Sequence, residues 1–429
     1  MILQYISHAR IQPAHVQCFT LLSSYLCSVN CLPQAWILIG QAVRTAQDLG
    51  LHVRALQHRL CFLCFAQPIP QRSPKRLAIT PIEKETRRKT WWGVYTLDRM
   101  LALALGRPLG VNDNDCDVEL PVDVDDQDLT EYFSGATLQS KQPLMNGFIL
   151  LIQLYEIAGR VQREVYALDK CRDNLEPEKK AELHATVESL DGELTKWCDD
   201  LPEVYKSASQ TNEQVSMGAV LWGHCYSVLT SLHRNLVPVK KGQPLTPKST
   251  AKAVSSARSC IRLAPSMKNV VPPSHHLAFF IQHLFSSAVI LLLYAMHCGD
   301  DRAAAAAMDE ARSTLSAIES WEGQWPGARK CKELLVELTE TASAAIARGS
   351  AATVSDSNEA SANTSQGRRR SISIVTPTAN AVSNRAIKGR TSRRNPSRDP
   401  GAPSSRRMAA VSPYRVPGKC SVSALYEVR

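Results

Sequence analysis

The carboxylates between positions 113 and 128 are the first residues of this chain whose spacing suggests chemistry. Asp113, Asp115 and Asp117 alternate as calcium-loop ligands do, but Val118 stands where such a loop needs glycine and Val124 where it needs glutamate. Asp123, Asp125, Asp126 and Asp128 are groups of the kind that hold magnesium in helical terpene enzymes. They lie in a Pro-bounded stretch without helical spacing, however, and no second acidic motif answers them. A solvated acidic loop accounts for both sets. His275, His276 and His283 fall at or within an apolar stretch without a Glu or Cys partner, so capped or core histidines are expected. Cys61 and Cys64 form the one C-x2-C pair, with no second pair at ligand spacing, which reads as structural or accidental. Asp98 and Arg99, inside an apolar run, are expected to form structural ion pairs. Neither a phosphate-cradling glycine loop nor a nucleophile elbow occurs. No catalytic residue and no metal ligand is assigned.

Basic charge is the second candidate chemistry. The 429 residues carry 50 Lys and Arg against 40 Asp and Glu, a net charge of +10. Residues 351–429 alone hold 14 basic and 4 acidic residues, which is the whole excess; residues 1–350 are formally neutral. This segment is rich in Ser, Ala, Arg, Pro and Thr and has no helical or strand period, so a disordered tail is expected. Its clusters are Arg368, Arg369 and Arg370, then Arg393 and Arg394, then Arg406 and Arg407. They suit a nuclear-import signal, loose contact with nucleic-acid phosphates, or a merely solvated linker. Ser371 and Ser373 follow the first cluster at a basophilic-kinase spacing, and phosphate there would reduce the local positive charge.

Thirteen cysteines scattered through apolar stretches, an odd number without framework spacing, point to a chain that needs no disulfide scaffold. The N-terminus lacks the basic-then-apolar order of a secretory signal. Residues 277–297 are free of Asp, Glu, Lys and Arg, but Gln282, His283, Ser286 and Ser287 interrupt them and no basic cluster adjoins. A buried core helix is expected rather than a membrane span.

The elements that hold these residues read as helices almost throughout. Trp36, Ile39, Val43 and Ala46 recur at spacings of three and four, and Gly50 follows as a left-handed cap. Thr80-Pro81-Ile82-Glu83 has capping-box spacing with Pro at the first helical position. Glu83 with Arg87, and Glu85 with Lys89, are i,i+4 pairs expected on exposed first turns. From 91 to 105 the sequence is apolar nearly all round, so this half should be buried until Gly106 and Pro108 stop it. Further helical stretches are 144–169, 177–198, 215–236, 249–263, 274–297, 302–321 and 328–347, separated by Pro, Gly, Ser or Asp. No alternating strand pattern or repeat period appears. The expected architecture is all-α: a helical domain over 1–348, with two lobes divided at the acidic loop 112–128, then the basic tail 349–429.

Two blocks carry a family resemblance. Gln34-Ala35-Trp36, followed by Gly40 through His52, resembles the helix that opens the middle homology region of fungal zinc-cluster transcription factors. Glu83 through Arg99, running into Leu105-Gly106-Arg107-Pro108, is similar to the same family, and Asp113 through Pro121 completes the block. The resemblance is tight over about 30–130 and looser to about 348. Residues 55–76, with the apolar run Cys61 to Ala66 and then Pro68, Pro70 and Pro74, interrupt it as a lineage insertion or a splicing error.

The resemblance implies a regulatory domain in the nucleus that acts on transcription by RNA polymerase II and is not an enzyme. It implies DNA binding through a six-cysteine, two-zinc cluster that would lie upstream of Met1, with no cofactor in this chain. Coregulators or the transcription machinery, a homodimeric partner and a small-molecule effector are the implied partners; no membrane is. Trp91, Trp92, Tyr95 and Trp222 suit either an effector pocket or an ordinary core. A helical scaffold or corepressor that has lost DNA binding is the alternative.

Overall fold

Prolines 13, 33, 81, 177, 247 and 265 each sit in the first turn of a helix, where a missing N–H costs nothing and the fixed φ is already helical. A computed structural model describes residues 11–54, 79–136, 143–170, 175–209, 211–237, 246–323 and 325–365, with side chains to residue 348. Its order is α1 (Pro13–Ser28), α2 (Leu32–Asp48), α3 (Pro81–Leu105), α4 (Leu129–Ser134) and α5 (Met145–Arg160), the last continued by a π turn (Val161–Val165). Then come α6 (Pro177–Asp200), α7 (Asn212–Arg234), α8 (Pro247–Arg262), α9 (Ala264–Val270), α10 (His275–His297), α11 (Asp301–Glu319) and α12 (Pro326–Ser365). No strand occurs among the described residues, so the fold is all-α. The chain divides into a unit ending at Gly349, which holds the packed helices, and a second beginning at Ser350.

Helix ends fall where the punctuation places them. Gly50 and Gly106 adopt φ of 66° and 62°, and the Thr80 hydroxyl accepts the Glu83 N–H at 3.1 Å. The turn between α1 and α2 uses Asn30 at φ 59°, the residue type that tolerates the left-handed region best after glycine. Helix α1 itself was not among the expected helices. Its sequence contains no Asp, Glu, Lys or Arg, so the polar face that would mark it is weak.

Two apolar clusters fill the body. The first gathers α1, α2, α3, α5 and α6 around Trp91, Tyr95, Leu101, Ile152, Leu154, Leu190 and Leu194. The second gathers α8, α9, α10, α11 and α12 around Ala257, Phe280, Leu284, Leu291, Ile318 and Leu335. Helix α7 serves both, giving Leu221, Cys225, Val228 and Leu232 to the first and Ala219 and Val220 to the second. Phe279 and Phe280 of α10 face the first and second cluster respectively. The division therefore runs along α7 and α10, not at the acidic loop as expected. Among the described residues, α10 is the one helix long and apolar enough to cross a membrane, and most of its apolar stretch is buried here.

The i,i+4 pairs expected on α3 do not form. Glu85 is 1% exposed; it pairs with Arg88 at 2.6 Å and accepts the Val122 N–H at 2.9 Å. Arg88 also bonds Glu119, and Lys89 reaches Asp126 at 2.7 Å. Arg87 donates to the Leu49 carbonyl at 3.0 Å. The returning segment 119–126 covers this turn of α3, so long-range partners and an i,i+3 pair replace the i,i+4 pairs.

Candidate functional site

Of the carboxylates of 113–128, Asp113, Asp117, Asp123 and Asp125 accept hydrogen bonds from other segments, and Asp115, Asp123 and Asp126 are exposed, as in a solvated loop. Asp113 binds Arg99, Arg163 at 2.5 Å and the Tyr95 hydroxyl at 2.7 Å. Arg99, 1% exposed, also lies over the Tyr95 ring at 3.4 Å. Asp125 accepts the N–H groups of Leu144 at 3.2 Å and Met145 at 2.9 Å, where negative charge suits the start of α5. Asp123 accepts from Asn146 at 3.0 Å, and Asp117 from the Arg54 N–H at 2.8 Å. Asp98 takes no salt bridge among the described residues; its carboxylate accepts the Gly110 N–H at 2.9 Å, and burial pushes it up to about 6.

The histidines come together, with one that the sequence did not point to. His224 of α7 has its Nε2 3.0 Å from His276 Nδ1, and its Nδ1 3.2 Å from His283 Nε2 and 2.9 Å from the Tyr155 hydroxyl. His275 reaches the Ser24 hydroxyl of α1 at 2.9 Å. Burial holds all four well below the usual imidazole value, His275 at about 4 and His283 at about 3. His224 spends its two nitrogens on different neighbours, so the rings form a chain of hydrogen bonds rather than converging on a point. Among the described residues, no group of three His, Cys, Asp or Glu is placed to hold a metal ion.

The four aromatics weighed as a pocket lining are packing residues instead. Trp91, Trp92 and Tyr95 are buried in the first cluster, and Trp92 donates to the Glu119 carbonyl at 2.8 Å. Trp222 donates to the Tyr205 carbonyl at 3.2 Å and stacks on Tyr226. Cys61, Cys64 and the segment 55–76 lie outside the described residues, as do Arg368, Arg369, Arg370, Arg393, Arg394, Arg406, Arg407, Ser371 and Ser373.

A cleft of about 570 Å³ opens elsewhere, between α8 and the C-terminal end of α10. Amphipathic α8 buries Thr250, Ala253, Val254, Ala257 and Cys260, leaving Arg258 and Arg262 along its rim. Tyr294, His297, Cys298 and Gly299 form the opposite wall. Arg258 is held by Glu310 at 2.7 Å, whereas Arg262 is exposed and has no acidic partner among the described residues. Two lining polar atoms are buried without a partner among those residues: the hydroxyl of Thr250, a residue 5% exposed, and His297 Nε2. His297 Nδ1 donates to the Leu293 carbonyl at 2.9 Å. A hydrogen bond with the Cys298 thiol raises the Tyr294 phenol. Two guanidinium groups beside an apolar wall suit a small anion with a compact apolar body.

Comparison with known proteins finds similarity to fungal transcriptional regulators. Residues 2–199 match the family described as fungal specific transcription factor domain. An uncharacterized transcriptional regulatory protein of Schizosaccharomyces pombe is 25% identical over 293 residues, covering 67% of this chain and 32% of that protein. The transcriptional activator protein acu-15 of Neurospora crassa is 30% identical over 168 residues, 39% of this chain and 15% of the activator. An ABC-transporter-regulating transcription factor of Aspergillus oryzae is 26% identical over 205 residues, 47% and 20% of the two chains. The chain thus spans a third or less of the length of these relatives. No solved structure matches it. Residues 2–199 are thus similar to the fungal specific transcription factor domain family, and the relatives that the chain resembles are named as transcriptional regulators.

Proposed function

We propose that residues 1–348 form an effector-responsive regulatory domain that adjusts transcription by RNA polymerase II in the nucleus and catalyses no reaction. The observation that carries this reading is the family match over 2–199, joined to a body whose carboxylates and histidines are consumed by packing. The α8–α10 cleft is the effector site, and a small carboxylate held by Arg262 and Arg258 is the class of ligand it takes. DNA recognition and zinc belong to a six-cysteine segment N-terminal to these residues, which also supplies the homodimer contact. Arg368, Arg369, Arg370, Arg393 and Arg394, within a basic tail over 349–429, serve nuclear import or touch phosphate, and phosphorylation of Ser371 and Ser373 opposes them. Coregulators and the transcription machinery are the partners.

Tethering the chain to an unrelated DNA-binding domain upstream of a reporter tests the regulatory role. Reporter output is expected to change several-fold, and output identical to the DNA-binding domain alone would overturn it. A scaffold or corepressor is the second reading, supported by Leu21, 72% exposed, and Tyr25, 60% exposed, four residues apart on α1, with Ile37 of α2 also exposed. Under that reading Leu21→Asp with Tyr25→Asp abolishes the reporter effect while Arg262→Gln leaves it intact. The effector reading expects the opposite pattern.

A further inference from the structure

Nine cysteines lie among the described residues, all as free thiols. Two of them meet where α6 packs on α7. There the sulfurs of Cys198 and Cys225 stand 3.4 Å apart, the one sulfur–sulfur contact among the described cysteines. A disulfide needs about 2.05 Å, so the gap would have to close by roughly 1.4 Å.

The two thiols are unlike. Cys225 is fully buried among Leu221, Val228 and their neighbours, whereas Cys198, in the last turn of α6, is half-buried and reachable from solvent. The hydrogen bond from Cys225 lowers the Cys198 thiol. Burial opposes it and Asp199 works against it, while Lys206 and Lys252 favour the thiolate. The same hydrogen bond, with burial, raises Cys225. The C-terminal end of α6 disfavours an anion, and the two lysines offset that field. An accessible sulfur with thiolate character beside a protonated, buried one is the arrangement in which oxidation at the first is resolved by the second.

We propose that Cys198 and Cys225 form a peroxide-responsive pair that closes into a disulfide tying α6 to α7. The Cys198 thiolate attacks one oxygen of a hydroperoxide; the O–O bond breaks, an alcohol or water leaves, and Cys198 becomes a sulfenic acid. The Cys225 sulfur then attacks that sulfur, the S–O bond breaks, and water departs with the Cys225 proton. Two thiols have given up two electrons and two protons, and the peroxide has taken them. The cross-link joins the last residues of the family-matched segment to α7, the helix that both apolar clusters share. It goes beyond the regulatory reading and does not depend on the effector cleft.

The test uses the full chain, reduced, desalted and exposed to hydrogen peroxide in slight excess, then alkylated and digested without reductant. The expected result is loss of two alkylatable thiols, a cross-linked peptide pair containing Cys198 and Cys225, and full recovery with dithiothreitol. Cys225→Ser should halt at a sulfenic acid on Cys198 that dimedone traps, and Cys198→Ser should leave Cys225 reduced. Cys198→Ser alters a half-buried position and is expected to keep the wild-type circular dichroism. Cys198 remaining fully alkylatable after peroxide would overturn the proposal. So would disulfides that join other cysteines in place of this pair.

Discussion

The carboxylate of Asp98 and the backbone of Gly110 fit together so closely that a Cβ at Gly110 would lie 2.8 Å from Asp98 Oδ1. The Gly110 N–H donates to that carboxylate at 2.9 Å, so a buried acid inside α3 fastens the segment following the helix. Asp98→Ala would leave a loop N–H without its acceptor and is expected to cost about 1–3 kcal/mol. Gly110→Ala should destabilise as well, by forcing the carboxylate away. Thermal melts of both variants measure this. A melting temperature unchanged in both would mean that Asp98 does not hold the loop.

Stability should fall as pH drops below the ordinary imidazole value. His224, His275, His276 and His283 are kept neutral by burial, so the unfolded chain takes up protons near pH 6.5 while the folded chain does not. Their contribution is complete above pH 6.5 and is lost progressively down to pH 4 for His275 and pH 3 for His283. Each such group can cost up to about 1.4 kcal/mol per pH unit in that window. Asp98 works in the other direction, because its carboxyl is raised to about 6 and the folded chain gains a proton there before the unfolded chain does at its ordinary value of 3.8. Four histidines outweigh one carboxylate, so urea midpoints should decline from pH 7 to pH 5. A midpoint that rose over this range would contradict the buried cluster.

Glu85→Ala is expected to be the most damaging change on α3. It leaves Arg88, which is 9% exposed, with the half-exposed Glu119 as its remaining acidic partner and orphans the Val122 N–H. Removing one partner of a buried pair costs about 3–5 kcal/mol. Glu119→Ala should cost less, because Glu119 is half-exposed and Arg88 keeps Glu85. Chemical denaturation of the two variants should rank them in this order, and a larger loss at Glu119 would reverse the assignment.

At the cleft, Arg262→Gln should weaken carboxylate binding about tenfold, the loss of one charge-assisted hydrogen bond. Stability should change by less than about 0.5 kcal/mol, since Arg262 is exposed and no acidic group among the described residues holds it. Calorimetry with a panel of straight-chain mono- and dicarboxylates, run on wild type and variant, provides the measurement. Equal affinity in both proteins would remove Arg262 from the site.

Local signals were the readable part of this molecule. Thr80, Pro81, Gly50 and Gly106 mark helix ends through their own backbone chemistry, and the structure places each where that chemistry requires. The apolar run after Trp91 likewise identifies a buried helix. Partnerships across the fold were not readable. Glu85 looked suited to Lys89 one turn away, but the segment around Val122 buried it and gave it Arg88 instead. His224 carries no mark in its own helix; its neighbours come from helices more than fifty residues away. The cleft is a gap between α8 and α10, and its orphaned Thr250 hydroxyl becomes visible only once both helices are in place. Helix α1 could have been found from Pro13 opening a stretch free of Asp, Glu, Lys and Arg.

Helix α7 lies beyond the family border at residue 199, yet Leu221, Cys225, Val228 and Leu232 complete the cluster that the matched residues begin. A fragment cut at that border would present the seat of α7 to water as a continuous oily face beside Leu190 and Leu194. Boundaries drawn by sequence similarity and boundaries drawn by burial therefore disagree in this chain. Any transplant, truncation or fusion that respects only the first will inherit a sticky, half-closed protein.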